Sequence, residues 1–173
     1  MWLLVIGLAR ADDVLVTDFR PRDAGAEALA ALLSEVVASE IATVDGVHVV
    51  PLDDVGLVHD TPVSMYLASC PREEEAGCAF VVAEVAAVPY AIAGSVSSKG
   101  ERSRVDASIV DVLGSEEIVH LAFDLAAGNE RRFAESIAAL LSGVLQGELG
   151  RSEDVRGLPS PEERAYTVWP GGQ

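Results

Sequence analysis

The chain has 173 residues, of which 50% are hydrophobic, and its formal net charge is −16. This length fits one compact domain with short tails, and the apolar content supplies a real core, which excludes a wholly disordered chain. The acidic balance argues against nucleic acid and anionic membrane surfaces as partners. Phosphate groups would be repelled, and no cluster of Lys and Arg offsets that repulsion.

Residues 1–11 carry features of an export signal. Residues 2–8 are apolar, and Ala9 and Ala11 place small side chains at the −3 and −1 positions of a signal-peptidase site. A basic segment before the apolar run is missing, so a first buried strand is the alternative interpretation. We expect a signal peptide remnant over 1–11 and a periplasmic location. No other segment approaches the roughly 20 apolar residues of a membrane-spanning helix.

The next part of the chain predicts a strand, a helix and a second strand. Residues 14–19 are β-branched and short, and residues 24–43 repeat apolar side chains at three- and four-residue steps, with Asp23 as the N-cap. The turn at Asp45-Gly46 leads into a strand over 47–50. We expect these elements to form a right-handed parallel crossover.

A loop over 52–70 with a short helix after Pro62 comes next, and a second helix is predicted over 73–87. Residues 90–124 then predict three antiparallel strands joined by two tight turns, because polar and apolar residues alternate from Arg104 to Ile109. Gly100 and Gly114 lie in the turns, where a residue without a Cβ is favoured.

A last helix, capped by Asn129, follows this meander. The predicted fold is therefore α/β: a mixed sheet that includes a three-stranded antiparallel meander, covered on its apolar face by amphipathic helices. We expect this domain to span 12–149. Over 150–173 the chain becomes charged and rich in Gly and Pro, which predicts a disordered acidic tail. Its β-prone segment 166–169 either adds to the sheet edge of a partner or is inert.

The two cysteines, Cys70 and Cys78, are close in sequence. In an exported protein this spacing favours a disulfide that closes a short loop. A zinc site is a weaker hypothesis, because two thiolates without a nearby His supply half of a coordination shell. Two buried free thiols are the remaining alternative.

The sequence predicts no catalytic, cofactor-binding or metal-ligating residues. His48, His59 and His120 share no metal-ligand spacing, and the acidic runs at 53–54 and 73–75 are typical of solvated faces. Gly94 lies in a segment without the Lys and Ser/Thr of a phosphate loop, and a glycine within a strand, where another backbone or a bulge comes close, is the simpler explanation. Asp111, before the second turn, is expected to accept backbone N–H bonds.

Several segments together carry a family resemblance. They are the strand at 14–19, the helix AEALAALLSEVVASEIA, the strand VHVV, the run YAIAGSV from Tyr90, and RVDASIVDVLGSE from Arg104. Over residues 12–146 the chain resembles the N-terminal domain of the Tol–Pal translocation protein TolB, a family related to the curli secretion channel and to TolB-like modules of bacterial regulators.

The resemblance implies an α/β protein of the bacterial cell envelope that works by protein–protein contact and has no catalytic residues. The first hypothesis is therefore a non-enzymatic periplasmic interaction module with an envelope protein as partner and no cofactor. The second is a small-molecule-binding or enzymatic domain with a pocket near Gly94.

Overall fold

The computed structural model describes residues 13–71 and 74–156, with side chains described up to residue 150. The strands are β1 (Asp13–Val16), β2 (Arg20–Pro21), β3 (His48–Val50), β4 (Leu57–Val58), β5 (Thr61–Pro62), β6 (Tyr90–Lys99), β7 (Arg102–Asp111) and β8 (Glu116–Ala126). The α-helices are α1 (Glu27–Ile41), α2 (Leu52–Val55), α3 (Val63–Ser69), α4 (Glu75–Ala86) and α5 (Glu130–Arg156).

One mixed sheet organises these elements. Its strand order is β3-β1-β6-β7-β8, with β1 parallel to both neighbours and β6, β7 and β8 antiparallel. β2 continues the line of β1 and pairs in parallel with the far half of β6. The mixed α/β fold, the parallel pairing of β1 with β3 and the antiparallel meander are confirmed. The small β4–β5 hairpin lies inside the predicted loop.

The two meander turns depend on glycine for different reasons. Gly100 has a φ of 64°, a backbone conformation that favours a residue without a Cβ. In the second turn it is Ser115, with a φ of 53°, that takes this conformation. A Cβ at Gly114 would instead lie 2.8 Å from the Asp111 carboxylate. That carboxylate accepts the Gly114 N–H at 2.9 Å, which confirms the predicted role of Asp111.

The sheet is covered on both faces. One core fills the space between the sheet and α1 and α5, and its largest fully buried side chains are Leu33, Ile41, Ile92, Ile109, Ile137, Leu141 and Leu145. A second core lies between the opposite face and α3 and α4, and it contains Leu15, Val58, Val63, Ala79, Val82, Ala91 and Val110. The expectation that helices pack on a single face of the meander is therefore wrong.

Two helix ends also differ from the sequence prediction. Asp23 precedes a 3₁₀ turn without capping it, and its carboxylate accepts the Ser98 N–H at 2.7 Å. α5 continues past Gly150 to Arg156. Charged residues alone do not end a helix. Glycine and proline disfavour one, and both follow shortly after Arg156, at Gly157 and Pro159. The predicted signal peptide and the tail beyond Arg156 lie outside the described residues. Within the described part of the chain, no helix is long and apolar enough to cross a bilayer.

Candidate functional site

β8 forms one edge of the sheet over eleven residues. β7 pairs with it along one side, and no strand of the described chain pairs with its other side. A long unpaired strand presents a row of backbone N–H and C=O groups, which is a template for pairing with another extended segment. This edge is the first candidate site.

The register identifies which residues direct their backbone groups outward. In an antiparallel ladder, opposite residues alternate between pairs that exchange hydrogen bonds and pairs that do not. The Ala127 N–H donates to the Glu101 carbonyl at 3.0 Å, so these two opposite residues form a hydrogen-bonded pair. Every second residue back along β8, namely Leu125, Phe123 and Leu121, therefore also forms a hydrogen-bonded pair with β7. The N–H and C=O groups of His120, Ala122 and Asp124 therefore point away from the sheet, and we call these groups with their flanking side chains the β8 edge.

The two faces of β8 differ in chemistry. Val119, Leu121 and Phe123 face the core under α5 and remain partly exposed. The Phe123 ring contacts the Phe133 ring of α5 edge-on, with centroids 5.9 Å apart. On the opposite face, Glu117, His120 and Asp124 flank the small side chain of Ala122, all of them exposed. A strand added here would meet an apolar surface on one side and a polar one on the other.

A polar cluster occupies that second face. The His120 ring places Nδ1 3.1 Å from Ser108 Oγ and 3.4 Å from Glu117 Oε1, and its Nε2 lies 3.7 Å from Asp106 Oδ1. The Arg104 guanidinium donates to both carboxylate oxygens of Asp106 at 3.1–3.3 Å. This hydrogen bond and the charge of Asp106 raise the pKa of Arg104.

Ser, His and Asp side chains meet here, but their surroundings do not suit acyl transfer. Such chemistry needs free N–H donors aimed at the developing oxyanion beside the nucleophile. Ser108 is buried in a strand that is paired on both sides, with Ala93 of β6 and with His120 of β8. The N–H groups of Ser108 and of its neighbours in β7 belong to the sheet ladders. The cluster is better described as a set of cross-strand polar contacts that stabilise this face.

A second candidate site is a cleft of about 380 Å³ beside Gly94. β1 leads through α1 to β3 on one side, and the chain then returns through α3 and α4 to β6 on the other side. β1 is therefore a topological switch point, and in α/β sheets ligands bind outside the carboxyl ends of such strands. The cleft is lined by residues that follow β1 and β3, by α3 and by β6, including Thr17, Asp18, Asp53, Val63, Leu67 and Ala93.

Two arginines of the β2 segment hold the wall of this cleft. Arg20 donates to the carbonyls of Ala68, in the last turn of α3, and of Cys70, just beyond its end, at 3.3 and 3.0 Å. A cation at this position also interacts favourably with the helix dipole. Arg22 donates to Ser95 Oγ at 2.8 Å and pairs with Glu75 of α4 at 3.5 Å.

The structure joins Cys70 and Cys78 in a disulfide that links the end of α3 to the first turns of α4. The two Cα atoms are 6.3 Å apart, within the range that disulfides span. Both cysteines are buried and both line the cleft. The bond therefore fixes the segment that Arg20 holds from the sheet side.

Gly94 contributes to the cleft through its backbone, and the opposite side of the residue explains why it is glycine. A Cβ there would lie 2.6 Å from Cδ1 of the Phe19 ring, with Cε1 nearer still, and 2.7 Å from the Asp106 carbonyl oxygen. Phe19 is buried in the core beneath α1. The sequence predicted that another backbone or a bulge comes close to Gly94. In the structure the Phe19 ring packs against it, beside the Asp106 carbonyl of the neighbouring strand.

Gly94→Ala is therefore expected to destabilise the protein by about 1–3 kcal/mol, the usual cost of overpacking a core. Gly143→Ala is the matched control, because a Cβ at this exposed position of α5 meets nothing within 4 Å. Replacing glycine inside a helix should be neutral or stabilise by up to about 1 kcal/mol. Urea unfolding measures both variants, and wild-type stability of Gly94→Ala would contradict the packing assigned to Phe19.

The remaining sequence candidates do not converge on a site. His48 Nδ1 lies 3.2 Å from Asp13 Oδ1 on the surface, and the His59 ring contacts Tyr66. Asp53 and Asp54 are exposed on α2. Across residues 13–71 and 74–156, no group of three or more His, Cys, Asp or Glu side chains is arranged to hold a metal ion.

Sequence reasoning missed the β8 edge and the two arginines. The position of a strand within a sheet depends on pairing between distant segments, which periodicity does not reveal. A signal for Arg20 and Arg22 does exist: two cations stand beside Pro21 in a chain with few basic residues.

Comparisons with known proteins support the fold. No protein-family model matches the chain, and no curated protein is similar to it in sequence. TolB from Acinetobacter baumannii has a similar structure, with a TM-score of 0.54 and 13% identity over 80% of this chain, which spans 29% of that TolB chain. The LpoB C-terminal domain from Salmonella enterica gives a TM-score of 0.46 and 16% identity, covering 70% of this chain and 87% of that domain. The likeness to TolB establishes a shared fold and nothing about activity or partners.

Proposed function

We propose that this protein is a non-enzymatic protein–protein interaction module of the bacterial cell envelope, and that it binds an extended segment of an envelope protein at the β8 edge. The observation that carries the proposal is the outer side of β8, eleven residues long, with which no strand among residues 13–71 and 74–156 pairs. Strand addition at such an edge gains affinity from main-chain hydrogen bonds and specificity from alternate side chains.

The side chains along β8 support this use of the edge. Ala122 at its centre is small, so a partner backbone can approach without a steric barrier. Val119, Leu121 and Phe123 leave partly exposed apolar surface that an added strand would cover. The sequence resemblance to TolB modules, which work by protein contact, agrees with this role.

The periplasmic part of the proposal has separate support. Ala9 and Ala11 fit a signal-peptidase site, and a disulfide between Cys70 and Cys78 suits an oxidising compartment.

The test is Ala122→Pro, compared with Ala122→Val. Proline removes an N–H that points away from β7, so the existing ladder stays intact, and edge strands tolerate proline at such positions. Valine keeps the N–H and favours a strand. In quantitative pull-downs from envelope extract, we expect wild type and Ala122→Val to retain the same proteins, and Ala122→Pro to lose about tenfold, equivalent to one or two hydrogen bonds.

Thermal unfolding of both variants serves as the fold control and should give similar melting temperatures. Equal retention by the proline and valine variants would overturn the proposal, because binding at the β8 edge must depend on its outward N–H groups. Failure of the wild type to retain any envelope protein would overturn it as well.

The cleft beside Gly94 supports a second candidate function, small-molecule binding. Its apolar walls at Val63 and Leu67, with Asp18 and Asp53 at its rim, have the composition of a ligand pocket. A ligand of the native state raises the melting temperature. A thermal-shift screen with small molecules tests this candidate, and Ala122→Pro should leave any shift unchanged.

A further inference from the structure

We infer that the outward face of α4 is a second docking surface, and that it binds an amphipathic helix of a partner protein whose apolar stripe is flanked by Lys or Arg. This surface consists of Gly77, Phe80, Val81 and Val85 with the groove beside them, and we call it the α4 surface. It uses the side chains of a helix rather than the backbone of β8, so the inference goes beyond the proposed function and does not depend on it.

α4 is apolar on the side that faces solvent as well as on the side that faces the sheet. The side toward the sheet is buried in the second core. On the opposite side Gly77, Val81 and Val85 recur every four residues and so form one row. Gly77 is exposed, and Val85 has an exposed fraction of 45%. A helix that is hydrophobic all round is normally covered all round, so within the described chain this row is an unpartnered face.

A groove of about 380 Å³ lies beside this row, between α4 and the region of the β7–β8 turn. Ala76, Gly77 and Phe80 form its helix side, and Val110 and Ser115 lie on the other side. The missing side chain of Gly77 and the small one of Ala76 let a partner backbone come close, and Phe80 supplies apolar contact area. Side chains spaced four residues apart form ridges that pack into the grooves of another helix. The surface therefore suits a partner helix of about two turns or more.

The charged groups on the α4 surface are carboxylates. Glu84 is exposed on the outward face, Glu74 precedes the helix, and Glu116 lines the groove. No Lys or Arg occurs in residues 24–71, 74–98 or 105–130, which supply α2, α3, α4, β4 and the β7–β8 turn. The surface is therefore negative, with no cation of its own.

The cations of neighbouring elements do not reverse this sign. Arg22 and Arg104 each form an ion pair with a carboxylate outside the α4 surface, and Arg20 binds backbone carbonyls at the end of α3. Lys99 and Arg102 stand beside the first meander turn, about 25 Å along the strands from the groove. That separation is well beyond the Debye length of about 8 Å at physiological ionic strength.

Glu84 determines the charge of the occupant. A wholly apolar helix on this face would take the Glu84 carboxylate out of water without a partner, which is costly. A Lys or Arg beside the apolar stripe would pair with Glu84 instead, and such pairs favour discrimination between partners. A second copy of α4 offers no cation, because the charged side chains of this helix are Glu75 and Glu84.

The test uses blocked, fluorescently labelled peptides and the intact protein. The first peptide is alanine-rich and about 20 residues long, so that it forms a helix in isolation, with leucines at alternating three- and four-residue steps and lysines on both sides of that stripe. The second has the same composition with its leucines spread around the helix, and the third has glutamates in place of lysines. By fluorescence anisotropy we expect the first peptide to bind at least about tenfold more tightly than either control.

Gly77→Gln tests the surface itself. A Cβ at Gly77 meets nothing within 4 Å, so the variant should fold, but its side chain fills the place where the partner backbone approaches. We expect it to weaken binding of the first peptide by about tenfold. Gly143→Gln makes the same change at an exposed glycine of α5, which also has open space around it, and should leave binding unchanged. Both variants should melt at or above the wild-type temperature, because replacing a glycine inside a helix is favourable.

Glu84→Gln should weaken binding of the first peptide by about two- to fivefold and reduce its salt dependence. Glu35→Gln, the same charge change at an exposed position of α1, should leave binding unchanged. Sedimentation of the wild type should show a monomer.

Four outcomes would overturn the inference. If the first and second peptides bind equally, no apolar stripe is recognised, and if the first and third bind equally, charge does not select the partner. Equal binding by Gly77→Gln and Gly143→Gln would place the peptide elsewhere on the protein. A dimer that Gly77→Gln disrupts would make a second copy the occupant. Ala122→Pro should not change binding of the first peptide, so failure at the α4 surface is distinguishable from failure at the β8 edge.

Discussion

Ile109→Ala is expected to lower the free energy of unfolding by about 2–5 kcal/mol. Ile109 is fully buried in the central meander strand, two residues before the end of β7, opposite Ile92 of β6 and Val119 of β8. α5 covers this part of the sheet, so the surrounding side chains are held by a helix as well as by two strands. Truncation leaves a cavity that they fill only in part. Urea unfolding measures the loss.

Leu113→Ala is the control for removing aliphatic carbon without opening a cavity. Leu113 is 83% exposed in the turn between β7 and β8, so its truncation should change stability by less than about 0.5 kcal/mol. If the two variants lose the same stability, the effect of Ile109→Ala comes from the unfolded chain or from strand propensity, and the packing described for Ile109 is wrong.

The period of two along β7 predicted the strand and one of its faces correctly, but it misassigned the other face. Arg104, Asp106 and Ser108 read as a solvent-facing row. The structure exposes Arg104, partly covers Asp106 and buries Ser108 to 6% exposure. A small hydroxyl that contacts His120 can be buried at little cost, because its hydrogen-bonding capacity is met. Burial of this kind leaves no trace in a hydrophobic pattern.

The composition of α4 was the available clue to the second layer. Its apolar residues are nearly continuous, as expected for a helix buried around most of its circumference. Such a helix must pack against a large apolar surface. The predicted meander follows it directly in the sequence and offers a sheet face of this kind. Combining the two patterns would have predicted helices on both faces.

The candidate sites divide in the same way between local and long-range information. The pairing of Cys70 with Cys78 and the turn role of Asp111 depend on residues a few positions apart, and spacing was sufficient to propose both. The β8 edge depends on which strands pair across the described chain. The cleft beside Gly94 depends on the two crossovers, one from β1 to β3 and one from β3 to β6, that run to opposite sides of β1. Those arrangements result from tertiary packing.

The double replacement Cys70→Ser/Cys78→Ser is expected to lower the free energy of unfolding by about 2–3 kcal/mol. A crosslink over a sequence separation of 8 reduces the conformational entropy of the unfolded chain, and the variant loses that stabilisation. The native fold should persist, because Arg20 binds the Cys70 carbonyl from the sheet side and does not depend on the sulfur atoms. Urea unfolding with and without a reducing agent provides the measurement.

Reduction of the wild type is the matched control, since it breaks the bond without changing the side chains. Reduced wild type and the double variant should unfold at similar urea concentrations, and the double variant should not respond to the reducing agent. Thiol titration of unfolded, non-reduced protein from the periplasm should find no free thiol. Two free thiols per chain would contradict both the disulfide and the oxidising compartment proposed for the protein. The fold holds the two Cα atoms 6.3 Å apart, a distance that a disulfide spans, so the thiols should be oxidised in such a compartment.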